Sequence, residues 1–438
     1  MIEAITQWFA QQGFPQQLVI AYSGGRDSHV LLHAFWLLRQ QYPLHLRAVH
    51  IHHGLHPHAS LWAQHCQEVC QRYGITLEVI PMSLCIGRGV SVEAVARAAR
   101  YKAFAQHLAV DELLLTAHTL DDQAETVLLQ LMRGAGPKGL AGIAPLKGLG
   151  KGKLGRPLLN VAKTDIADFA VMHNLQWVED PSNNEKRFRR NFLRHDIFPA
   201  LQKVVPGLAH CLARTAKHCA SSQALLDEYV MQDLQMLMGK EPKTLNLAQL
   251  KRFSPLKQGY ILRQWLMFHQ VPCPATKKLQ DLLHQMLTAK QDANPCVSWG
   301  NSQITRYQDL LYLEVEKKTV NQAQWIKWYL ADMALQPLAG GNWRARLVKG
   351  GGIDAGKIHN TLEVRFRQGG EVCQLAGKNF SRPLKKIFQE LKIPYWQRAN
   401  IPLFYQQETL VGVGEHFVCE GWQVKDPLQS GWVIEKVC

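Results

Sequence analysis

Through its first 180 residues, this 438-residue chain alternates short, apolar-rich runs with longer amphipathic stretches. Leu18-Val19-Ile20-Ala21-Tyr22 has no polar position on either side of the pleat, as expected of a strand buried on both faces. Apolar-rich runs broken by single polar residues predict strands over Leu46–Ile51, Ile75–Ile80 and Leu113–Ala117, with a short fifth strand at Gln176–Val178. The longer stretches predict helices over Ser28–Leu38, Ser60–Tyr73, Val92–His107 and Asp121–Met132. Alternation at this spacing predicts right-handed crossovers and a doubly wound α/β domain, its parallel sheet covered on both faces. Ligands of such sheets sit beyond the carboxyl ends of the strands. Ser23, His50–His53 and His118 each follow a predicted strand, so all three are expected to face one crevice.

The rhythm changes near residue 200. Leu201–Leu237 and Leu247–Leu287 carry apolar residues at three- and four-residue steps, predicting helices, and Trp299–Glu316 predicts a hairpin. Beyond residue 320, strand-like runs (Leu362–Arg367, Leu410–Val413, Trp432–Lys436) surround one basic helix, Ser381–Leu391, with Gly340–Gly341 and Gly350–Gly352 as turn punctuation. The expected domains are 1–215, α/β; 216–318, mainly helical; and 319–438, a small, basic α+β domain. The length exceeds what one core supports. Hydrophobic content of 47% with 19% charged residues excludes a disordered chain.

The formal net charge of +15 favours a polyanionic partner, with nucleic acid first among the candidates. The ten cysteines, at 66, 70, 85, 211, 219, 273, 296, 373, 419 and 438, contain no Cys-x2-Cys pair. Reduced, mostly buried thiols are therefore expected rather than a zinc ribbon or an iron–sulfur site. MIEAITQWFAQQG lacks the basic end and apolar run of a signal peptide, and no stretch approaches the length of a membrane span, so a cytoplasmic protein is expected.

The candidate chemistry begins at Ser23-Gly24-Gly25-Arg26-Asp27-Ser28. A strand that ends in Gly-Gly and runs straight into a helix aims backbone N–H groups at one point, where a phosphate can sit. Asp27 can cap the helix or help to hold a metal ion. No Gly-x4-Gly-Lys-Ser/Thr occurs, which excludes a Walker-type loop. The second motif, TAHTLDDQAET at 116–126, places His118, Asp121, Asp122 and Glu125 at a helix start. Plain N-capping is one reading. A carboxylate pair that binds or deprotonates an amine, or holds Mg2+, is the other, and convergence on the phosphate turn favours it. His50-Ile51-His52-His53 is read as nucleotide or base contacts or as polar loop residues, with zinc the weakest reading. Arg97 and Arg100 suit phosphate contacts or surface ion pairs equally well. GAGPKG at 134–139 has the letters of a dinucleotide fingerprint but follows a helix rather than a strand, so a mobile loop that closes over substrate is expected instead.

SGGRDS resembles the pyrophosphate loop of the N-type ATP pyrophosphatases. Further strings narrow the resemblance: HIHHGL at 50–55, EAVARAARY at 93–101, TAHTLDDQAET at 116–126, GAGPKGLAG at 134–142, RPLL at 156–159, EDPSN at 179–183, and Arg190-Asn191 with Arg194. Together with SRPLKKIFQELKIPYWQRANIPL at 381–403, they resemble the tRNA(Ile)-lysidine synthetase family over nearly the whole chain; residues 216–318 match only weakly. The resemblance implies ligation of free L-lysine to C2 of the wobble cytidine of a CAU-anticodon isoleucine tRNA, through an adenylated cytidine. ATP with Mg2+ is implied at Ser23, Gly24, Gly25, Arg26, Asp27 and Ser28, with Asp27 a candidate metal ligand. His50, His52, Arg97, Arg100 and His118 are implied near the nucleotide or base, and Asp122 and Glu125 in lysine binding and catalysis. The tRNA is implied on Arg190, Arg194, Arg365, Arg367, Lys385, Lys386 and Arg398. No protein partner is implied beyond a homodimer. A cytidine thiolase with the same loop is the alternative enzyme, and a basic RNA-binding protein with a degenerate nucleotide site the alternative of another class.

Overall fold

The computed structural model describes the chain apart from residues 53, 55–56, 83–91, 182–188, 240, 242, 291–292, 316–324, 331–334, 339–340, 359–360 and 438. His53, Leu55, Cys85, Ser182, Asn183, Glu316, Gly340 and Cys438 of the sequence reading therefore lie outside the described residues. Two compact units form, Met1–Tyr229 and Val230–Cys438.

In the first unit the elements run α1 (Ile2–Gln11), β1 (Gln17–Ala21), α2 (Arg26–Leu38), β2 (His45–His52), α3 (Ala59–Arg72), β3 (Thr76–Pro81), α4 (Val92–His107), β4 (Leu113–Leu115), α5 (Leu120–Leu131), α6 (Pro137–Leu140), β5 (Leu146–Leu149), β6 (Gly152–Gly155) and α7 (Lys163–Met172). The short helix α8 (Arg189–Phe192), a π-helical turn at Leu193–Ile197, α9 (Phe198–Val204) and α10 (Leu208–Leu237) follow. The sheet order is β3-β2-β1-β4-β6-β5. β1 pairs in parallel with both β2 and β4, so the strand order reverses beside β1, and the crevice of a doubly wound sheet opens at that reversal.

Alternation along β1 explains why its apolar run is unbroken. Leu18 and Ile20 enter a core with Phe9, Leu31, Phe35, Cys66 and Ile166, and Val19 enters a second core with Val49, Phe104 and Leu114. Both faces are thus buried. Two expectations need correction. Gln176–Val178 is not a strand: the Val178 N–H donates to Gly24 O at 3.0 Å, and Gln176 O accepts from His29 Nδ1 at 2.7 Å, so the segment lies across the glycine turn. The outer sheet positions belong instead to β6, parallel to β4, and to β5, antiparallel to β6, so the sheet is not wholly parallel.

In the second unit, helices Pro255–Phe268 and Thr276–Thr288 accompany a four-stranded antiparallel sheet in the order Thr244–Asn246, Leu310–Val315, Ser302–Tyr307, Cys296–Trp299. A five-stranded and a four-stranded sheet follow, sharing a core of Trp328, Val364, Phe404, Trp343 and Ile434. Leu403 points the other way, toward Leu384, Ile387 and Phe388 of the basic helix Leu384–Glu390.

Lys385 and Lys386 are exposed on that helix, whereas Arg398 is buried. Its Nε donates to Ile393 O at 2.8 Å and an Nη to Tyr307 Oη at 3.4 Å, while the neighbouring Trp396 meets Tyr307 and Tyr312 edge-on. Arg398 thus serves packing inside this unit, contrary to a role as a backbone grip. Removing its side chain leaves a buried carbonyl without its donor, so Arg398→Ala is expected to destabilise the protein by about 2–3 kcal/mol. Chemical denaturation checks this; unchanged stability with weakened tRNA binding would restore the grip. Arg365 is also held: its guanidinium lies 3.9 Å from the Trp325 ring centroid and 4.5 Å from that of Tyr405, and it pairs with Glu363 and Glu408. Arg367 pairs with Glu371 at 3.5 Å.

Candidate active site

Gly24 has φ +86°, a conformation closed to most side chains, and a Cβ there would stand 2.9 Å from Val178 Cγ2 and 3.0 Å from Cys66 Sγ. The turn it allows brings Ser23 Oγ to 3.0 Å from Ser28 Oγ, and Ser28 Oγ donates to Gly25 O at 2.9 Å. Gly25 is the N-cap of α2, and no side chain caps the helix. The first-turn N–H groups and the positive end of the helix dipole therefore stay available to an anion. Arg26 and Asp27 pair at 3.2 Å, and both remain partly exposed.

At the neighbouring strand end, Thr119 starts α5 with a capping box. Asp122 Oδ2 accepts from the Thr119 N–H at 2.9 Å and from Thr119 Oγ1 at 3.1 Å. Capping is therefore real, yet it uses only one oxygen of Asp122. The other, Oδ1, accepts from Arg190 at 3.0 Å and Arg194 at 3.2 Å. Glu125 is 2% exposed, with Oε1 2.6 Å from Arg194 Nε, and with Oε2 2.8 Å from Arg190 Nε and 2.9 Å from an Arg194 Nη. The Lys163 ammonium stands 3.8 Å from Asp122 Oδ1 and 3.8 Å from Glu125 Oε1. Asp121 lies apart from this cluster, its Oδ2 accepting the Lys163 N–H at 2.9 Å and so joining the start of α7 to that of α5.

Burial alone would raise the Asp122 carboxyl, but Lys163, Arg190 and the Thr119 N–H outweigh it and hold it at about 2. The field of Asp27 reaches Arg194, which links the glycine turn to the acid cluster. His118 Nδ1 lies 2.9 Å from Thr116 Oγ1. Burial, with Arg156, Arg97 and Arg190, drives its imidazole down to about 3 against the pull of Asp122, so it is uncharged at neutral pH. The Tyr101 ring has Arg97, Arg100 and Lys147 at 5.2, 5.9 and 4.9 Å from its centroid. Burial works to raise its phenol, yet Arg97 and a hydrogen bond to the buried Arg156 hold it below the usual range.

The structure thus brings together Asp122, Glu125, Arg190, Arg194 and His118, with the turn at 23–28 at the next strand end and Arg97 and Arg100 on α4. His50 is buried beside the start of the glycine turn, its Nδ1 donating to Tyr22 O at 2.9 Å. His52 meets Ser60 Oγ at 3.4 Å. Gly134–Gly139 is less open than a free loop: Pro137–Leu140 coils into one helical turn, and Gln123 fixes the next residues by bonding both N–H and C=O of Ile143. Sequence reading missed Lys163 altogether, and it noted Arg156 only as part of a string.

A mainly parallel sheet with an uncapped Ser-Gly-Gly turn after its first strand, and acids after the adjoining one, is the arrangement of the PP-loop class. A model of the PP-loop domain matches residues 2–201. The TilS substrate binding domain matches 245–312, and the TilS substrate C-terminal domain 362–435. The tRNA(Ile)-lysidine synthase of Coxiella burnetii (strain RSA 493 / Nine Mile phase I) is 43% identical over 95% of this chain and 92% of its own. That of Yersinia pseudotuberculosis serotype O:1b (strain IP 31758) is 38% identical over 95% of each. The chain belongs to the tRNA(Ile)-lysidine synthase family and is a ligase-type tRNA-modifying enzyme. A solved U34-tRNA thiolase from Methanococcus maripaludis overlaps 49% of this chain and 78% of its own at 19% identity and TM-score 0.42, which lends a thiolase reading no weight.

Proposed function

We propose that this chain joins free L-lysine to C2 of cytidine 34 in the CAU-anticodon isoleucine tRNA. The carrying observation is that an open phosphate turn and a carboxylate pair follow two adjacent parallel strands, β1 and β4. In the first step, cytosine O2 attacks the α-phosphate of ATP and pyrophosphate leaves. The α2 N-terminus and the Ser23 and Ser28 hydroxyls are placed to stabilise the departing charge. Asp27, partly exposed beside that turn, fits as a single protein oxygen for Mg2+ carried on the phosphates, where the ion would neutralise developing charge. Neutral His118 is suited to hydrogen bonding at the adenylated base rather than to acting as a cation. In the second step the ε-amine of lysine attacks C2 and AMP leaves. Asp122 and Glu125 bind the incoming ammonium, which sheds its proton to a base before it attacks. Lys385 and Lys386 supply exposed charge for the tRNA backbone, making binding salt-dependent. The cytoplasm, where ATP, lysine and tRNA coexist, is the proposed location.

Labelled lysine supplied with ATP, Mg2+ and bulk tRNA is expected to enter one isoleucine species only. No incorporation, with ATP–pyrophosphate exchange intact, would leave adenylation standing and remove lysine as the nucleophile.

A further inference from the structure

Every carboxylate oxygen in the acid pair is already engaged. Asp122 Oδ2 caps α5, Oδ1 takes two arginines, and both Glu125 oxygens are held between 2.6 and 2.9 Å. Among the described residues, the three cations Lys163, Arg190 and Arg194 thus face this acid pair before any substrate arrives, and a substrate ammonium would make a fourth. Entry of that further charge is eased if one cation leaves. Arg190 and Arg194 each bridge both acids through forked hydrogen bonds, which makes them costly to remove. Lys163 is held differently. It sits at 3.8 Å from both carboxylates, beyond hydrogen-bond reach, on a flexible stem whose side chain is 24% exposed. Its fixed part is the backbone, anchored by Asp121. Chemically it is the substrate's own head group, a primary ammonium on a four-carbon chain, equidistant from the two acids.

We propose that Lys163 is a built-in surrogate for the substrate: its ammonium fills the lysine ε-ammonium position in the empty site and is displaced when lysine binds. This rests on the reading of Asp122 and Glu125 as the lysine-binding pair. The exchange of one ammonium for another leaves the cluster's charge unchanged, so a cationic amine can enter where a neutral molecule displaces nothing. Lys163 thereby sets lysine affinity and favours a substrate that arrives as a cation.

The test is the lysine dependence of tRNA modification at saturating ATP and tRNA, with KM and kcat resolved. Lys163→Met keeps the stem and the Asp121-bound N–H while removing the competing charge. Its KM for lysine is expected to fall about tenfold. Lys163→Arg keeps the charge and is expected to hold KM at or above the wild-type value. Lys163→Gln provides a second uncharged variant should the Met variant fold poorly. Competition by n-butylamine, a bare alkylammonium, is expected to strengthen in the uncharged variants by a similar factor. An unchanged or raised KM in both uncharged variants, while the wild type incorporates lysine, overturns the exchange alone. No lysine incorporation by the wild type, or an Asp122→Asn variant with unaltered lysine KM, overturns the lysine-binding reading and the exchange with it.

Discussion

Asp122→Asn is expected to lower lysine transfer by about 10³-fold, roughly 4 kcal/mol of transition-state stabilisation. The substitution is nearly isosteric, so the effect is electrostatic. The carboxylate is held at about 2, so it is ionised at any working pH and the amide removes a full charge. Asp122 receives donors on both oxygens: Thr119 on Oδ2, and Arg190 and Arg194 on Oδ1. An amide presents one acceptor and one NH2, so a donor must face either the helix start or the two guanidiniums. The three neighbouring cations then share a single carboxylate, Glu125, and an incoming ammonium meets net repulsion. Adenylation, assigned to the turn at 23–28, is expected to lose much less. Single-turnover transfer of labelled lysine, measured beside ATP–pyrophosphate exchange, separates the two steps. Transfer at the wild-type rate would remove Asp122 from the mechanism.

Much of this was legible because buried parallel strands and forced turns leave local marks. The apolar runs of β1 and β4, the apolar-rich β2 and β3, and the Gly-Gly step before α2 are such marks. β5 and β6 are not: Leu146–Leu149 and Gly152–Gly155 are short, rich in glycine and lysine, and lack any apolar period. Gln176–Val178 looked like a strand because its composition suits one, yet its backbone groups pair with Gly24 and His29. Charge is the least legible property. Arg398 and Lys385 lie on neighbouring short helices of one basic segment, one buried on a carbonyl and the other exposed, and nothing local separates them. The arginines at 190 and 194 and the acids at 122 and 125 were each visible, but their mutual pairing and the place of Lys163 among them arise only when α5, α7 and α8 converge. Sequence spacing locates groups on one element; it does not say which cation a distant carboxylate will hold.

Gly24→Ala is expected to reduce ATP–pyrophosphate exchange about 100-fold and to destabilise the first unit by about 3 kcal/mol. Two costs combine at this position. The φ of +86° disfavours any L side chain, and the added methyl meets Val178 Cγ2 at 2.9 Å and Cys66 Sγ at 3.0 Å. Neither neighbour yields easily, because Cys66 belongs to the main core and Val178 is tied by its N–H to Gly24 O. Relief by rotating the peptide would turn that carbonyl away from Val178 and disturb the bonds among Ser23, Gly25 and Ser28 that shape the phosphate turn. Gly25 offers the control. Its φ is −75°, and the nearest atom to a new methyl is Ser23 Oγ at 3.6 Å, so Gly25→Ala is expected to change stability by less than about 0.5 kcal/mol. Any loss of exchange in Gly25→Ala then reports the methyl meeting a bound phosphate rather than the fold. Thermal unfolding and exchange measured on both variants check the argument, and a Gly24→Ala protein that melts and exchanges like wild type would sink it.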